Sequence, residues 1–208
     1  MFGIRYLKAK PTQYVLQYKK GKLIRSGKGL SFFYFQRSST ICIVPIGSAD
    51  TPFIFNEMTA DFQPLTIQGQ CIYRIIDPEC VASMLDYTIG KGNRYTSDDP
   101  EKLPKRLINL IQVFIRTEVQ KRPLKEAIHA SNEISREVMK QCEQNIALSS
   151  LGVEIQSITI TAIKPTPEMA RALEAEAREE LLKKQTNRFT NDEMLMSNKN
   201  GKSRKMSY

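Results

Sequence analysis

No acidic residue precedes Asp50 in this chain of 208 residues, and His129 is its only histidine. The lone histidine excludes a two-histidine metal site and any paired-histidine acid–base chemistry. At i±3 and i±4 spacing it neighbours Lys125, Asn132, Glu133 and Arg136, so it reads as a solvated residue on a polar helix face. Long apolar runs are also missing. The longest, residues 30–35 and 41–46, fall far short of the roughly 20 residues a spanning helix needs. The opening MFGIRYLKAK has no apolar core and no small-residue cleavage site, so secretion is not expected. Cys42, Cys71, Cys80 and Cys142 form no C-x-x-C pair and read as small, reduced core residues.

The absence of acid at the start has a counterpart in what is present. Nine bases stand before Asp50: Arg5, Lys8, Lys10, Lys19, Lys20, Lys22, Arg25, Lys28 and Arg37. The chain has 31 Lys and Arg in all, so 22 remain, and they balance the 22 Asp and Glu. The whole net charge of +9 therefore belongs to the N-terminal part. Such a placement fits an anionic partner, a phospholipid surface or nucleic acid, and it equally fits a solvated face that maintains solubility. Lys8, Lys10, Lys19, Lys20, Lys22, Arg25, Lys28 and Arg37 are the candidate anionic-surface residues. Among them runs Phe32-Phe33-Tyr34-Phe35. In a strand, alternate members of that run point oppositely, which sends two to the core and leaves two available.

Hydrophobic periodicity places short strands first and helices later. Residues 14–18, 23–24, 30–35 and 41–46 read as strands, with a basic turn around Gly21 and Pro45 near a strand end. In residues 65–75, Leu65, Ile67, Cys71, Tyr73 and Ile75 share one face, the signature of a half-buried antiparallel strand. After Asp77-Pro78 the period becomes helical: a short helix at 79–86, a polar loop at 89–100, an amphipathic helix at 103–121, and a second at 124–149 that Gly152 caps. Residues 153–163 return to a strand whose apolar phase slips between Ile155 and Ile158, which calls for a bulge, a bend or a change of packed face.

No nucleophile–base–oxyanion constellation and no phosphate-binding motif occurs, and Gly27-Lys28-Gly29 and Gly90-Lys91-Gly92 read as turns. Asp98, Asp99 and Glu101 are best explained as negative charge at a helix start. No enzyme activity, cofactor or metal site is expected.

The junction LGVEIQSITITAIKPTPEMARALEAEAREELLKK, residues 151–184, passes from strand through two prolines into an Ala/Glu/Arg helix. Thr166 is placed as its N-cap, Pro167 at its first position and Glu168 at the positive end of its dipole. Met169, Ala172, Leu173, Ala177 and Leu181 form a thin apolar stripe, the candidate oligomerisation seam. The tail from 186 to 208 is rich in Asn, Ser and Lys and reads as disordered.

Three passages resemble the SPFH or band 7 family of stomatins, prohibitins and flotillins: IQGQCIYRIIDPE, the two helices between 103 and 151, and GVEIQSITITAIKPTPEMARALEAEAREE. The chain looks like a bacterial-type member without the N-terminal transmembrane or hairpin segment and without the longer C-terminal helix that relatives usually carry. The resemblance implies an α+β domain with a curved, mostly antiparallel sheet and packed helices over residues 1–165. It also implies a projecting coiled-coil-type helix over 166–185, followed by the tail. The expected function is a non-catalytic homo-oligomeric scaffold, cytoplasmic or peripheral at the inner membrane face, organising lipid or a membrane-protein client. The alternative is a nucleic-acid-binding module on the same basic region.

Overall fold

The computed structural model describes residues 3–203. Seven strands come first: β1 (Ile4–Lys8), β2 (Gln13–Lys19), β3 (Lys22–Lys28), β4 (Ser31–Phe35), β5 (Thr40–Pro45), β6 (Ala49–Met58) and β7 (Pro64–Ile75). The helices α1 (Pro78–Met84), α2 (Asp99–Val119), α3 (Leu124–His129), α4 (Ser131–Glu143) and α5 (Ile146–Ser150) follow, then β8 (Val153–Pro165) and α6 (Pro167–Ser203). The strands make three sheets, β1-β4, β3-β2-β5 and β6-β7-β8. The fold is α+β, and the chain divides between Lys164 and Pro165 into two compact units.

Alternation builds the first two sheets into a small sandwich. Leu7, Phe32 and Tyr34 on the inner face of β1-β4 pack with Val15, Ile41 and Ile43 of β2 and β5 in one buried cluster. Lys20 and Gly21 join β2 to β3, both with positive φ (50° and 74°), the conformation a two-residue hairpin loop needs. The outer edge of β5 is closed by residues after α1, since Ile43 donates its N–H to Tyr87 and Ile89 donates to Ile41.

The third sheet carries the helices. Leu65, Ile67, Cys71, Tyr73 and Ile75 of β7 are buried, as their alternation predicts. In β8 the phase slips twice, between Ile155 and Ile158 and again between Ile160 and Ile163, so that all four are buried on one 13-residue strand. Helix α2 buries Leu103, Leu107, Ile111, Ile115 and Val119 and packs on α4 and β6. Two buried carboxylates fasten it. Glu57 on β6 accepts from Arg116 Nε and Gln112 Nε2, each at 2.8 Å. Glu118 accepts from Lys121 Nζ at 2.6 Å and from Gln141 Nε2 of α4 at 2.7 Å, with Arg122 at 3.3 Å.

Three elements differ from the sequence reading. Strand β1 is not evident from its short, charge-interrupted pattern. The helix expected over 124–149 is three helices: Ala130 (φ −91°, ψ 16°) ends α3 and precedes α4, and the Asn145 side chain accepts from Ala147 and Leu148 N–H to start α5. Helix α6 continues to Ser203, through residues 186–203 of the expected tail, and 204–208 lie outside the described residues. Once a helix is nucleated at Thr166-Pro167, Asn, Thr and Ser reduce propagation only by tenths of a kcal/mol each, and proline recurs nowhere before 203.

Candidate interaction surface on the basic N-terminal sheets

Strands β1 and β4 pair antiparallel, with Ile4 opposite Phe35, Tyr6 opposite Phe33 and Lys8 opposite Ser31. Because side chains alternate, Leu7, Phe32 and Tyr34 turn inward and the four partners Ile4, Tyr6, Phe33 and Phe35 turn outward together. All four are about half exposed or more, Phe33 at 73%, and the Tyr6 and Phe33 rings lie 4.8 Å apart. Within the aromatic run, two rings enter the core and two remain outside, as the alternation requires. The sequence reading missed the larger consequence, that β1 adds Ile4 and Tyr6 to make a continuous apolar face. The available signal was IRYLK, which alternates only if Arg5 is allowed an inner position at a sheet rim.

The bases separate into two groups. Residues 36–39 turn the chain from Phe35 to Thr40, which pairs with Tyr18, next to the Lys19–Lys22 pair that closes the β2–β3 hairpin. Arg37, Lys19, Lys20 and Lys22 therefore stand at one end of the sandwich, the end where Ile4 and Phe35 lie, and all four are exposed. Lys8, Lys10 and Lys28 stand at the other end. There Lys28 lines a cavity of about 420 Å³ with Arg74, Asp77 and Glu79, so its surroundings carry both signs. Arg25 belongs to neither group: its guanidinium sits 4.4 Å from the centre of the Phe32 ring and covers the rim of the core.

The remaining candidates are structural. His129 is exposed. Asp99 accepts from Lys102 Nζ at 2.6 Å and from the Asp86 N–H at 3.0 Å, and the Lys102 bond, then the Asp86 N–H, hold its carboxyl below the usual range. Burial pushes the Cys71 thiol up to about 11 and the Cys142 thiol up to about 12, far from the thiolate a nucleophile or metal ligand needs. Cys80 is half-buried and donates to the Ser150 carbonyl. Among the described residues no three His, Cys, Asp or Glu side chains gather as a metal site, and no helix is long and apolar enough to cross a membrane.

Helix α6 opens as expected, with the Met169 N–H 3.5 Å from Thr166 Oγ1 and the Ala170 N–H bonded to the Thr166 carbonyl at 2.9 Å. Its stripe is open: Met169 and Leu173 are partly buried, and Ala172, Ala177 and Leu181 are exposed.

A sandwich of antiparallel strands and a helix-backed sheet define an α+β domain with an apolar–basic outer face. The SPFH domain / Band 7 family model matches residues 7–192, and the chain belongs to that family. Membership carries a scaffold-type role in general terms, in a family that is generally non-catalytic. No curated protein matches the chain.

Proposed function

We propose that this chain is a non-catalytic, self-associating scaffold that docks peripherally on an anionic membrane surface from the cytoplasmic side and organises lipid or a membrane-protein client there. The observation that carries the reading is the outward face Ile4, Tyr6, Phe33 and Phe35 beside the basic end formed by Arg37, Lys19, Lys20 and Lys22. Contiguous exposed apolar patches mark interaction sites. Aromatic rings favour the headgroup region of a bilayer, and each nearby Lys or Arg contributes about 1 kcal/mol at an anionic surface. Together they supply the two signals that stable peripheral binding requires.

Co-sedimentation with phosphatidylserine-containing and pure phosphatidylcholine vesicles, at low and at raised salt, tests the membrane half. Binding to the anionic vesicles that weakens with salt and keeps a salt-resistant remainder is expected, because apolar contact is not screened. No binding at either salt would sink it. Salt-sensitive retardation of oligonucleotides without vesicle binding would instead favour nucleic acid as the partner of the same end. Self-association is supported by the open stripe Met169, Ala172, Leu173, Ala177 and Leu181, and light scattering over a range of concentrations measures it.

A further inference from the structure

Strand β3 stands at the end of its sheet, and its outer edge pairs with no described residue. Gly29 donates its N–H to the Gln13 carbonyl at 2.9 Å, and the register runs from Tyr14 opposite Lys28 to Gln17 opposite Arg25. Bonded pairs alternate along an antiparallel ladder, so Gly27 and Arg25 face β2 while Ser26 and Lys28 turn their backbone N–H and C=O groups outward. No backbone hydrogen bond from a described residue reaches those outward groups. The opposite edge of the same sheet is closed, because Ile43 and Ile41 of β5 bond to Tyr87 and Ile89. Unpaired edge groups are a template for another strand.

Charge decides which strand fits. Lys19, Lys20, Lys22 and Arg25 are exposed at the hairpin end of this edge, and none of them enters an ion pair among the described residues. A second copy is the wrong occupant. Pairing β3 with itself about Arg25 sets Arg25 opposite Arg25 and Lys22 opposite Lys28, and like charges directly opposite destabilise a sheet. A strand carrying carboxylates meets no such barrier. A phospholipid headgroup neutralises the same bases but has no peptide backbone to complete the ladder. The register shift beside Gln17 leaves Ile24 as an extra residue, and residues 25–28 beyond it pair regularly. Leu23 and Ile24, both exposed, add apolar surface for the incoming side chains. At the far end Lys28 shares its cavity with Asp77 and Glu79, so the carboxylates belong at the hairpin end.

We propose that β3 receives an extended acidic segment of a partner protein as a fourth strand of the β3-β2-β5 sheet. Main-chain bonds to Ser26 and Lys28 supply the ladder, and Lys19, Lys20, Lys22 and Arg25 select acidic side chains. The contact gives the client of the scaffold proposed above its docking element and rests on that reading for its role.

Fluorescence anisotropy tests it on the full-length chain with no vesicles present. The probe is a labelled, end-capped peptide that alternates Glu and Val over the seven residues of β3. Saturable binding that weakens with salt is expected. A fully N-methylated peptide of the same sequence keeps the charges but lacks the donors, and it binds at least about tenfold more weakly, the loss of a hydrogen bond or two. Ser26→Pro removes an outward N–H that β2 does not use, so it keeps the parent's thermal midpoint and weakens the Glu/Val peptide to the same extent. Lys19→Glu/Lys22→Glu turns the preference toward a Lys/Val peptide. Equal binding of the N-methylated peptide, equal binding of the Lys/Val peptide to the unsubstituted chain, or no binding at all overturns the proposal. If peptide binding fails while the chain docks on vesicles, only this contact is wrong. If vesicle docking fails and peptide binding holds, the membrane half falls and the contact stands.

Discussion

Gly69 of β7 lies so close to Thr159 of β8 that a Cβ at position 69 would stand 2.4 Å from the Thr159 carbonyl oxygen. The Phe53 ring closes on the same point from β6, at 2.5 Å. Neither a backbone carbonyl nor a ring stacked at 4.7 Å on Phe55 can withdraw cheaply. Gly69→Ala is therefore expected to destabilise the domain by about 1–3 kcal/mol, the cost of overpacking a filled interior. Urea unfolding would show a lower midpoint at an unchanged slope.

Gly152 has a different constraint. Its φ is +69°, and its carbonyl accepts both the Ile76 N–H at 2.9 Å and the Asp77 N–H at 3.1 Å. An added Cβ would lie 2.7 Å from the Asp77 carbonyl. Gly152→Ala combines left-handed strain with that clash, and a loss of at least about 1–2 kcal/mol is expected. A thermal melt measures it.

Glu118 predicts the direction of acid sensitivity. Burial raises its carboxyl, but the Lys121, Arg122 and Gln141 donors outweigh burial and leave it below the ordinary range. A folded-state pKa depressed in this way contributes stability that is complete above the unfolded value, about 4.3, and is lost as pH falls through the folded value. Glu118→Gln is expected to lower the melting temperature at neutral pH and to reduce its decline between about pH 5 and pH 3. A loss of about 1–3 kcal/mol at pH 7 is expected, because Gln offers one acceptor oxygen and no charge where the buried carboxylate served Lys121, Arg122 and Gln141 together. Parallel melts of the two proteins across that range provide the comparison.

How far these features could be read from sequence depends on whether neighbours in space are neighbours in pattern. The β7 face was legible because Leu65 to Ile75 alternate without help from any other strand. That two members of Phe32 to Phe35 turn inward followed from their spacing alone, and the structure identifies them as Phe32 and Tyr34. The apolar outer face was not legible, because it needs β1, whose Ile4 and Tyr6 gain meaning only once they lie opposite Phe35 and Phe33. The eight candidate bases form one group in sequence, yet hairpin register sends seven of them to two opposite ends and leaves Arg25 over the Phe32 ring. The break at Ala130 left no signal either, since alanine favours helix.

The proposed membrane docking would separate into its two components by substitution. Replacing Lys19, Lys20 and Lys22 with Ala removes about 3 kcal/mol of attraction, roughly a hundredfold at low salt, and little at high salt. Phe33→Ser with Tyr6→Ser removes the salt-resistant remainder and leaves the electrostatic part. Vesicle titrations of the two variants at two salt concentrations read both effects, and identical behaviour of the two would contradict the assignment.

Shortening the chain after Pro165 removes α6 and its Met169–Leu181 stripe. Because that seam is thin, self-association is expected to weaken several-fold without disappearing. Sedimentation of the truncated chain checks the outcome, and complete loss would give the helix the leading part.

The placement of β8 sets an order on synthesis. Its neighbour β7 is complete at residue 75, but residues 76–152 must leave the ribosome before β8 begins. At about 5–20 residues per second, one edge of β7 waits on the order of ten seconds for its partner. During that interval the backbone groups on the β8 side of β7 stay unpaired, and the apolar face formed by Leu65, Ile67 and Cys71 waits for the helices that cover it.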